Sequence, residues 1–391
     1  MPPAGRVPLL FLLADTGGGH RSAARAVSEA LEAAYPGRFD PLFCDPLAGP
    51  GASRVLRWVT SRYGPLIRFA PWAWGAVYYA CDSRLMMRLL QRTLLVLADR
   101  PVAQAMAAHE PAAIVSFHPL TGGAAAGAQR RAHRDIPVLT VVTDLTTVHA
   151  AWRLGQADRT AVPPAARQHG PDRAGAGRCV TTGLPVTSGF WPGPLPDGER
   201  AALRRRLGVR ERCFLALLSG GGEGAGGVAR RAAAILRSCA DVEVVAVCGR
   251  NLRLRRRLAR LAARAGGRLT VLGFVDNMPD WVRCADVVIA KAGPGTIAEA
   301  ACCGVPLLLT SHLPGQEKGN ARLVTRAGAG MTAARRGRLA RELGVLRRDP
   351  AALAAMRTAA ARLGQPGAAA AVAALLASLT ETRAGTYGSG R

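Results

Sequence analysis

Two stretches of the 391-residue chain decide its fold, residues 7–34 (VPLLFLLADTGGGHRSAARAVSEALEAA) and residues 213–237 (CFLALLSGGGEGAGGVARRAAAILR). Each begins with an apolar run of strand length, continues through a glycine-rich loop, and ends with apolar residues at helical spacing. Strand, tight glycine loop and helix in this order are typical of the first unit of a Rossmann-like domain. Because the unit occurs twice, the sequence predicts two such domains.

Short apolar runs alternate with helical stretches after each glycine loop. This alternation predicts parallel sheets covered on both faces, and therefore an α/β fold of two Rossmann-like domains. Ligands of such sheets bind beyond the carboxyl ends of the strands, so we expect a shared substrate in a cleft where the two domains face each other. The predicted strands are Ala112–Phe117, Val138–Thr143, Val242–Cys248, Leu269–Leu272, Val287–Ala290 and Val305–Thr310.

Composition predicts the domain boundaries. Residues 184–199 are rich in proline and glycine and lack periodicity, so we predict a linker between an N-terminal domain, residues 1–183, and a C-terminal domain, residues 200–365. The last segment, residues 366–391, contains an alanine-rich helix, Ala368–Leu379, and a tail, Thr380–Arg391, that we predict to be disordered.

The charge of the chain suggests several classes of partner. There are 52 Lys and Arg residues against 26 Asp and Glu, a net charge of +26, and only Lys291 and Lys318 are lysines. A nucleic acid, an anionic membrane or a phosphate-bearing ligand would each suit such a charge. No helix-turn-helix, zinc-finger or RNP signature is found, so we expect no nucleic-acid partner.

Cysteine usage and hydropathy indicate the compartment. The nine cysteines are scattered and contain no Cys-x-x-Cys pair, so a disulfide scaffold or structural zinc site is not expected, and a reducing cytosol fits best. No window reaches about 18 uncharged apolar residues, so no transmembrane helix is predicted.

The second glycine loop is compatible with more than one ligand. Gly222-x-Gly224-x-x-Gly227 matches a dinucleotide fingerprint. A hydride-transfer enzyme would also need an acidic residue after the next strand, which instead ends in Cys248-Gly249-Arg250-Asn251. Neither a P-loop nor an Asp-x-Asp or His-Glu-x-x-His motif occurs, so we expect no metal and no cofactor. Backbone N–H groups at the start of a helix suit a diphosphate.

A third glycine-containing loop, residues 291–300 (KAGPGTIAEA), also follows a predicted strand and opens a helix. Thr296 is expected to cap this helix, with Glu299 three positions later as in a capping box. In a functional interpretation, the Glu299 carboxylate accepts both hydroxyls of a ribose. The two interpretations are compatible.

Seven segments together resemble the monogalactosyldiacylglycerol synthase and processive diacylglycerol glucosyltransferase group, GT-B glycosyltransferases similar to family 28. The resemblance runs in order from about Leu10 to Gly330, and the group is related to the lipid II-forming GlcNAc transferase. The segments are Asp15–His20, Val142–Leu145, Gly220–Gly224, Cys248–Asn251, Gly273–Val275, Lys291–Ala300 and Pro314–Asn320. The resemblance implies a GT-B fold in which the C-terminal helix crosses back to the first domain.

The resemblance implies that the C-terminal domain binds a UDP-sugar. Phe274 and Val275 would border the uracil, Arg250 would help to neutralise the diphosphate, and Glu299 would hold the ribose. Gln316 and Glu317 would read sugar hydroxyls, although an ordinary polar loop is the alternative for these two. The remaining donor-binding residues would be Gly222, Pro294, Gly295, Thr296 and Asn320.

His20 is the candidate general base for the acceptor hydroxyl. It directly follows three glycines, and the ordinary pKa of histidine lies close to working pH. Asp144 follows the strand Val138–Thr143 and would orient His20 or itself serve as the base. A structural role is the alternative for each residue, as a helix-start histidine and as a capping carboxylate. The resemblance implies an inverting transfer that gives a β-glycoside.

An aromatic and basic stretch, residues 55–97, is the candidate membrane surface. It holds three of the six tryptophans, Trp58, Trp72 and Trp74, interleaved with arginines. Such a mixture suits the headgroup interface of a bilayer, but a buried aromatic core with surface arginines would have the same composition. The resemblance favours membrane association, with Gly19 and His149 beside the acceptor.

We therefore expect a peripheral enzyme on the cytoplasmic face of an anionic membrane. It would move a hexose from a UDP-hexose to a lipid acceptor, diacylglycerol in the first instance. A GlcNAc or other hexosyl transferase acting on a different lipid-linked or cell-wall acceptor is the alternative within the same class. A protein that binds a UDP-sugar or lipid without catalysis is the alternative outside it.

Overall fold

The computed structural model describes residues 5–14, 18–154, 157–169, 178–222, 224 and 227–388. The chain divides into two compact units. Unit 1 comprises Met1–Ser188, Pro314–Gln316 and Gly367–Arg391, and unit 2 comprises Gly189–Leu313 and Glu317–Pro366. The chain thus first passes from unit 1 to unit 2 between Ser188 and Gly189. This point lies within residues 184–199, the segment that the sequence predicts as a linker.

Unit 1 is built on a six-stranded sheet in which each neighbouring pair is parallel, in the order β2-β1-β3-β4-β5-β6. Its strands are β1 (Val7–Leu12), β2 (Phe39–Cys44), β3 (Ala113–Ser116), β4 (Val138–Val141), β5 (Arg159–Val162) and β6 (Cys179–Thr181). Its helices are α1 (Gly19–Ala34), α2 (Arg54–Phe69), α3 (Pro71–Cys81), α4 (Arg84–Thr93), α5 (Asp99–His109), α6 (Thr121–Ala132) and, from the end of the chain, α15 (Ala368–Gly388).

Unit 2 repeats this architecture, with a parallel sheet in the order β12-β11-β10-β7-β8-β9. Its strands are β7 (Phe214–Ser219), β8 (Val242–Val247), β9 (Leu269–Leu272), β10 (Val287–Lys291), β11 (Leu307–Ser311) and β12 (Gly330–Thr332). Its helices are α7 (Asp197–Arg206), α8 (Val228–Ser238), α9 (Leu252–Ala262), α10 (Met278–Cys284), α11 (Pro294–Cys302), α12 (Lys318–Arg326), α13 (Arg336–Arg348) and α14 (Pro350–Leu363).

The strand orders identify the doubly wound class and confirm the predicted α/β fold of two Rossmann-like domains. Counted along the chain, unit 2 has the Rossmann order 3-2-1-4-5-6. Each predicted strand is present, with ends that differ by no more than two residues. The sequence did not predict β2, β5, β6 and β12, of which three have only three or four residues.

The C-terminal helix α15 belongs to unit 1. It packs on α1 and buries Ala369, Val372 and Leu376 in that contact. The stretch Pro350–Glu381 is long and apolar enough to span a membrane, by length and composition alone. The search for windows of about 18 uncharged apolar residues did not predict a membrane span here. This stretch is two helices, α14 and α15, separated at residues 364–367, and one third of its most apolar window is buried. Helix α15 also continues to Gly388, through residues predicted to be disordered.

Candidate functional site

The strand order of unit 1 reverses between β1 and β3, and loops at this point carry the first group of candidate residues. His20 lies in the first turn of α1, after the glycine loop that follows β1. Phe117 and His118 directly follow β3. Gly18, with φ +83°, forms the N-cap of α1, and Gly19 is its exposed first residue. Asp15-Thr16-Gly17 of this loop lies outside the described residues.

Two oxygen atoms face the Nδ1 atom of His20. The carbonyl oxygen of Phe117 is 2.8 Å from Nδ1, and Oγ1 of Thr143 is also at 2.8 Å. Because a carbonyl oxygen only accepts, Nδ1 carries the hydrogen and the neutral ring keeps its lone pair on Nε2. Burial lowers the pKa of His20 to about 4, and the bond to Phe117 offsets part of this effect. His20 is therefore a neutral base at physiological pH, with Nε2 as its basic atom.

His118 is a second imidazole in this group, and it was not among the residues predicted from the sequence. It is buried, whereas His20 is partly exposed. Its ring lies edge-on to that of His20, with centroids 4.6 Å apart. Nδ1 of His118 accepts a hydrogen bond of 3.3 Å from the backbone N–H of Leu120. Burial and the neighbouring His20 hold the pKa of His118 well below its ordinary value. The only signal in the sequence was its position, immediately after a buried strand.

Asp144 follows β4 at the same edge of the sheet. It is buried, and its Oδ2 atom accepts a hydrogen bond of 2.7 Å from Nε1 of Trp152. Its neighbour Thr143 contacts His20. His149 is also buried, and both of its ring nitrogens have partners within unit 1. Nε2 bonds to the carbonyl oxygen of Tyr78 at 3.1 Å, and Nδ1 accepts from the N–H of Ala151.

In unit 2 the strand order reverses between β7 and β10, where the second glycine loop lies. Gly249 has φ +56°, and a Cβ atom there would overlap the carbonyl oxygen of Gly222. The N–H of Arg250 donates to this same carbonyl at 2.9 Å. The loops after β7 and β8 therefore pack backbone to backbone. Glu223 and residues 225–226 of the glycine loop lie outside the described residues.

Arg250 and Phe274 form one surface on unit 2. The Arg250 guanidinium lies 5.0 Å from the centroid of the Phe274 ring, a cation–π contact. Phe274 is 56% exposed and Val275 is half-buried. An exposed aromatic face and a cation are thus available together at the carboxyl end of the sheet.

The start of α11 differs from the predicted capping box. The helix begins at Pro294, with Gly293 as N-cap, so Thr296 lies within the first turn and does not cap it. Proline suits the first helical position because its φ is already helical and it has no N–H to leave unpaired. Gly295 follows Pro294 in this turn. Glu299 therefore lies beyond the positions of a capping box, and that structural interpretation of its carboxylate was wrong.

Among the described residues, no hydrogen bond or ion pair reaches the Glu299 carboxylate. Burial raises the pKa of this carboxyl from 4.5 to about 7. A carboxylate desolvated without compensation is costly, so its position next to the first turn of α11 indicates a site for hydroxyl donors from a ligand.

Two predicted site residues after β11, Glu317 and Asn320, are buried and bonded to the protein, which the sequence did not indicate. Glu317 is 2% exposed, forms an ion pair with Lys291 and accepts from the N–H of Leu313 at 2.9 Å. Asn320 is buried and donates to the carbonyl oxygen of Ala292 at 3.0 Å. These contacts join the loops after β10 and β11. Lys291 was not among the predicted site residues.

Gln316 is assigned to unit 1, within the segment Pro314–Gln316. Its carbonyl oxygen accepts a hydrogen bond of 3.2 Å from Oγ1 of Thr147. The Oε1 atom of its side chain is buried and has no partner among the described residues.

Helices α2, α3 and α4 form an aromatic–basic band, Arg54–Thr93. Trp58 is 61% exposed and Trp72 is 75% exposed, and the exposed apolar set continues through Phe69, Tyr79, Leu85 and Leu89. The three helices contain no Asp or Glu, and their arginines are exposed. Trp74 differs, because it packs edge-on against Tyr63 at 4.9 Å and its Nε1 atom is buried. The band thus has an exposed surface that includes Trp58 and Trp72, whereas Trp74 is only partly exposed.

Potential metal ligands do not cluster in the described ranges, where no group of three His, Cys, Asp or Glu side chains lies close enough to hold an ion. The polar side chains at the two switch points can accept protons and hydroxyl hydrogen bonds, and Arg250 can bind an anion.

Two protein families match consecutive parts of the chain. Residues 20–186 match the family described as "Monogalactosyldiacylglycerol (MGDG) synthase", and residues 217–372 match "Glycosyltransferase family 28 C-terminal domain". The chain is 30% identical to monogalactosyldiacylglycerol synthase 1 of Arabidopsis thaliana, over 82% of this chain and 61% of that protein. It is also 30% identical to probable monogalactosyldiacylglycerol synthase 2 of Oryza sativa subsp. indica, over 83% and 70%. The chain thus spans about three fifths of the length of the Arabidopsis relative.

Solved structures with the same fold are GT-B proteins. MurG of Acinetobacter baumannii aligns with a TM-score of 0.60 and 19% identity, over 94% of this chain and 99% of that one. HepE of Anabaena in complex with UDP-glucose aligns with a TM-score of 0.54 and 17% identity, over 98% and 100%. Both likenesses concern the fold alone, and the chain has the GT-B fold.

Proposed function

Because the chain belongs to the monogalactosyldiacylglycerol synthase family, we propose that it transfers a hexose from a UDP-hexose to the hydroxyl of diacylglycerol. Unit 1 would hold the lipid acceptor and unit 2 the donor. The family matches on both halves of the chain, the activity for which the relatives are named, and the UDP-glucose in the HepE complex support this assignment.

The observation that carries the proposal is the state of His20. Its Nδ1–H is held by the Phe117 carbonyl and Thr143, which leaves the Nε2 lone pair available to the acceptor. In the proposed reaction Nε2 takes the proton of the lipid hydroxyl while that oxygen bonds to the anomeric carbon. The bond from this carbon to the diphosphate breaks, and UDP leaves. A single displacement inverts the anomeric centre, so an α-linked donor gives a β-glycoside.

The donor would lie along the carboxyl edge of unit 2. The Glu299 carboxylate, which no other side chain in the described ranges contacts through a hydrogen bond or ion pair, would accept hydrogen bonds from the two ribose hydroxyls. Phe274 would stack on the uracil. Arg250 and the first-turn N–H groups of α11 would stabilise the negative charge of the departing diphosphate. Gly222 would line the diphosphate site. Glu317 and Lys291 would act by holding the loops in place, since their charged groups pair with each other.

The aromatic–basic band would dock on an anionic bilayer. Exposed tryptophans and arginines on helices that contain no Asp or Glu match the requirements of the headgroup region, where rings enter the interface and guanidinium groups meet phosphates. The nine cysteines are free thiols, which is compatible with a reducing compartment and with the cytoplasmic face of the membrane.

A donor panel tests the proposal. The purified chain is incubated with vesicles of diacylglycerol and anionic phospholipid, and with UDP-galactose, UDP-glucose or UDP-GlcNAc in turn, and the lipids are analysed by mass spectrometry. The expected product is a monohexosyl diacylglycerol that is absent with His20→Ala. Product only from UDP-GlcNAc and a different lipid-linked acceptor would support the alternative transferase, and no product from any donor with diacylglycerol would reject the proposed acceptor.

A further inference from the structure

A cavity in unit 2 lies at the edge of the sheet opposite the proposed donor site. Its volume is about 330 Å³. Ala285 and Val305 line it, and each lies two residues before a strand, β10 and β11 respectively. The cavity is therefore at the amino ends of these strands, whereas Glu299 and Arg250 serve the carboxyl ends. The proposed transfer reaction makes no use of it.

Three arginines line this cavity, and its lining contains no Asp or Glu. They are Arg200, Arg283 and Arg357. Arg200 and Arg357 share one carboxylate, that of the buried Asp286, at 3.0 Å and 2.7 Å. The same carboxylate also pairs with Arg204 at 2.8 Å. One buried negative charge thus serves three guanidinium groups, and of these Arg200 also pairs with the exposed Asp197 at 3.0 Å.

Arg283 differs from Arg200 and Arg357 in its contacts. Within the part of the chain that the structure describes, its guanidinium forms no hydrogen bond or ion pair, and its Nε atom is buried. The Nε atom of Arg357 is buried and unpartnered as well. Burial, and then the neighbouring Arg200, lower the pKa of Arg357, and Asp286 and Asp197 offset part of this effect. An anion in the cavity would balance the positive charge of these arginines.

From this arrangement we propose that the cavity binds inorganic phosphate or a small phosphomonoester. Guanidinium groups form paired hydrogen bonds with phosphate oxygens, and a dianion would neutralise the positive charge that Asp286 and Asp197 leave. The cavity is larger than a phosphate ion needs, so a small organic group attached to it would be accommodated beside the apolar side chains of Leu195 and Val305.

Phosphate titration tests this site without any measurement of turnover. Binding of inorganic phosphate and of glycerol 3-phosphate to the full chain is measured by calorimetry with UDP present in excess, so that the proposed donor site does not contribute. Arg283→Gln removes the arginine that has no partner. Arg237→Gln, at an exposed arginine in the last turn of α8, is the matched control.

The wild type and Arg237→Gln should bind phosphate equally, and Arg283→Gln should bind about ten-fold or more weakly, because a charge-assisted contact is lost. Tighter binding of glycerol 3-phosphate than of phosphate would identify a phosphomonoester as the ligand, and the reverse would identify the free ion. Thr358→Trp, at an exposed residue of the lining, should fill the cavity and abolish binding if Arg283→Gln fails to fold. Equal binding by Arg283→Gln and Arg237→Gln, or no binding by the wild type, would overturn the proposal.

Discussion

Protonation of Glu299 should weaken the binding of a UDP-hexose as the pH falls below about 7. Burial raises the pKa of this carboxyl from 4.5 to about 7 in the ligand-free protein. Two ribose hydroxyls that donate to the carboxylate would favour its ionised form, so the pKa of Glu299 should fall when the donor binds. Linkage then requires that a proton and the donor compete.

The size of the effect follows from the protonated fraction. At pH 5.5 a carboxyl of pKa about 7 is protonated about thirty times more often than it is ionised, whereas at pH 8 it is nearly all ionised. If the bound form stays ionised throughout, the dissociation constant should be about thirty-fold larger at pH 5.5 than at pH 8. The neighbouring thiols of Cys302 and Cys303 stay neutral in this range, because burial raises their pKa values to about 11 and 12.

Calorimetric titration with UDP-galactose at a series of pH values measures this effect. The diphosphate of a UDP-sugar has no terminal phosphate group to titrate in this range, which makes it a better probe than UDP. Glu299→Gln keeps the size of the side chain but has no proton to lose. Its affinity should be nearly independent of pH, and at pH 8 it should be about ten-fold or more below that of the wild type.

A wild-type affinity for UDP-galactose that does not change between about pH 5.5 and 8 would contradict this role of Glu299. A Glu299→Gln variant that retains the full pH dependence would contradict it as well. Circular dichroism at both pH values checks that the chain stays folded. In the protein without a donor, the free energy of unfolding should change with pH in the opposite direction to the donor affinity. Because the folded-state pKa of Glu299 lies above the unfolded value, this group makes the fold less stable as the pH rises from 4.5 to about 7.

Three further predictions concern the surface, the donor loops and the core. The double variant Trp58→Ala, Trp72→Ala should lose binding to anionic vesicles in flotation assays without a change in melting temperature. Trp74→Ala should instead lower the free energy of unfolding by about 2 kcal/mol, because its ring is packed. Gly249→Ala should lower the free energy of urea unfolding by about 1–3 kcal/mol, because alanine is strained at positive φ and its Cβ would overlap the neighbouring loop; unchanged stability would contradict the close packing of these loops. Asp286→Ala should destabilise unit 2 by about 3–5 kcal/mol in the same assay, because it removes the buried carboxylate that pairs with Arg200, Arg204 and Arg357, and a loss below about 1 kcal/mol would contradict that role.

Local patterns predicted the two sheets and the position of the site. Apolar runs and glycine loops are encoded by neighbouring residues, so the strands β1 and β7 and the helices after them could be located from the sequence. The carboxyl-edge rule then predicted which loops carry ligand-binding residues. Short strands such as β6, with three residues, lack enough alternation to be recognised.

Features that depend on orientation could not be predicted from composition. Trp72 and Trp74 are two residues apart in α3, which turns the second ring by about 200° around the helix axis, so that one is exposed and the other packs. The pairing of Lys291 with Glu317 joins residues 26 positions apart and arises only in the folded sheet. His118 has no motif of its own, and its closeness to His20 follows from the adjacency of β1 and β3.

The central claim is that Nε2 of His20 removes the proton of the acceptor. The most direct test compares wild type and His20→Ala in two measurements on the same preparations, the rate of hexosyl transfer to diacylglycerol and the dissociation constant of the UDP-hexose. We predict that transfer falls by about 100-fold or more while donor binding stays within two-fold, since a general base typically contributes about 10²–10⁴ in rate. Turnover in His20→Ala close to the wild-type rate, with intact donor binding, would contradict the assignment.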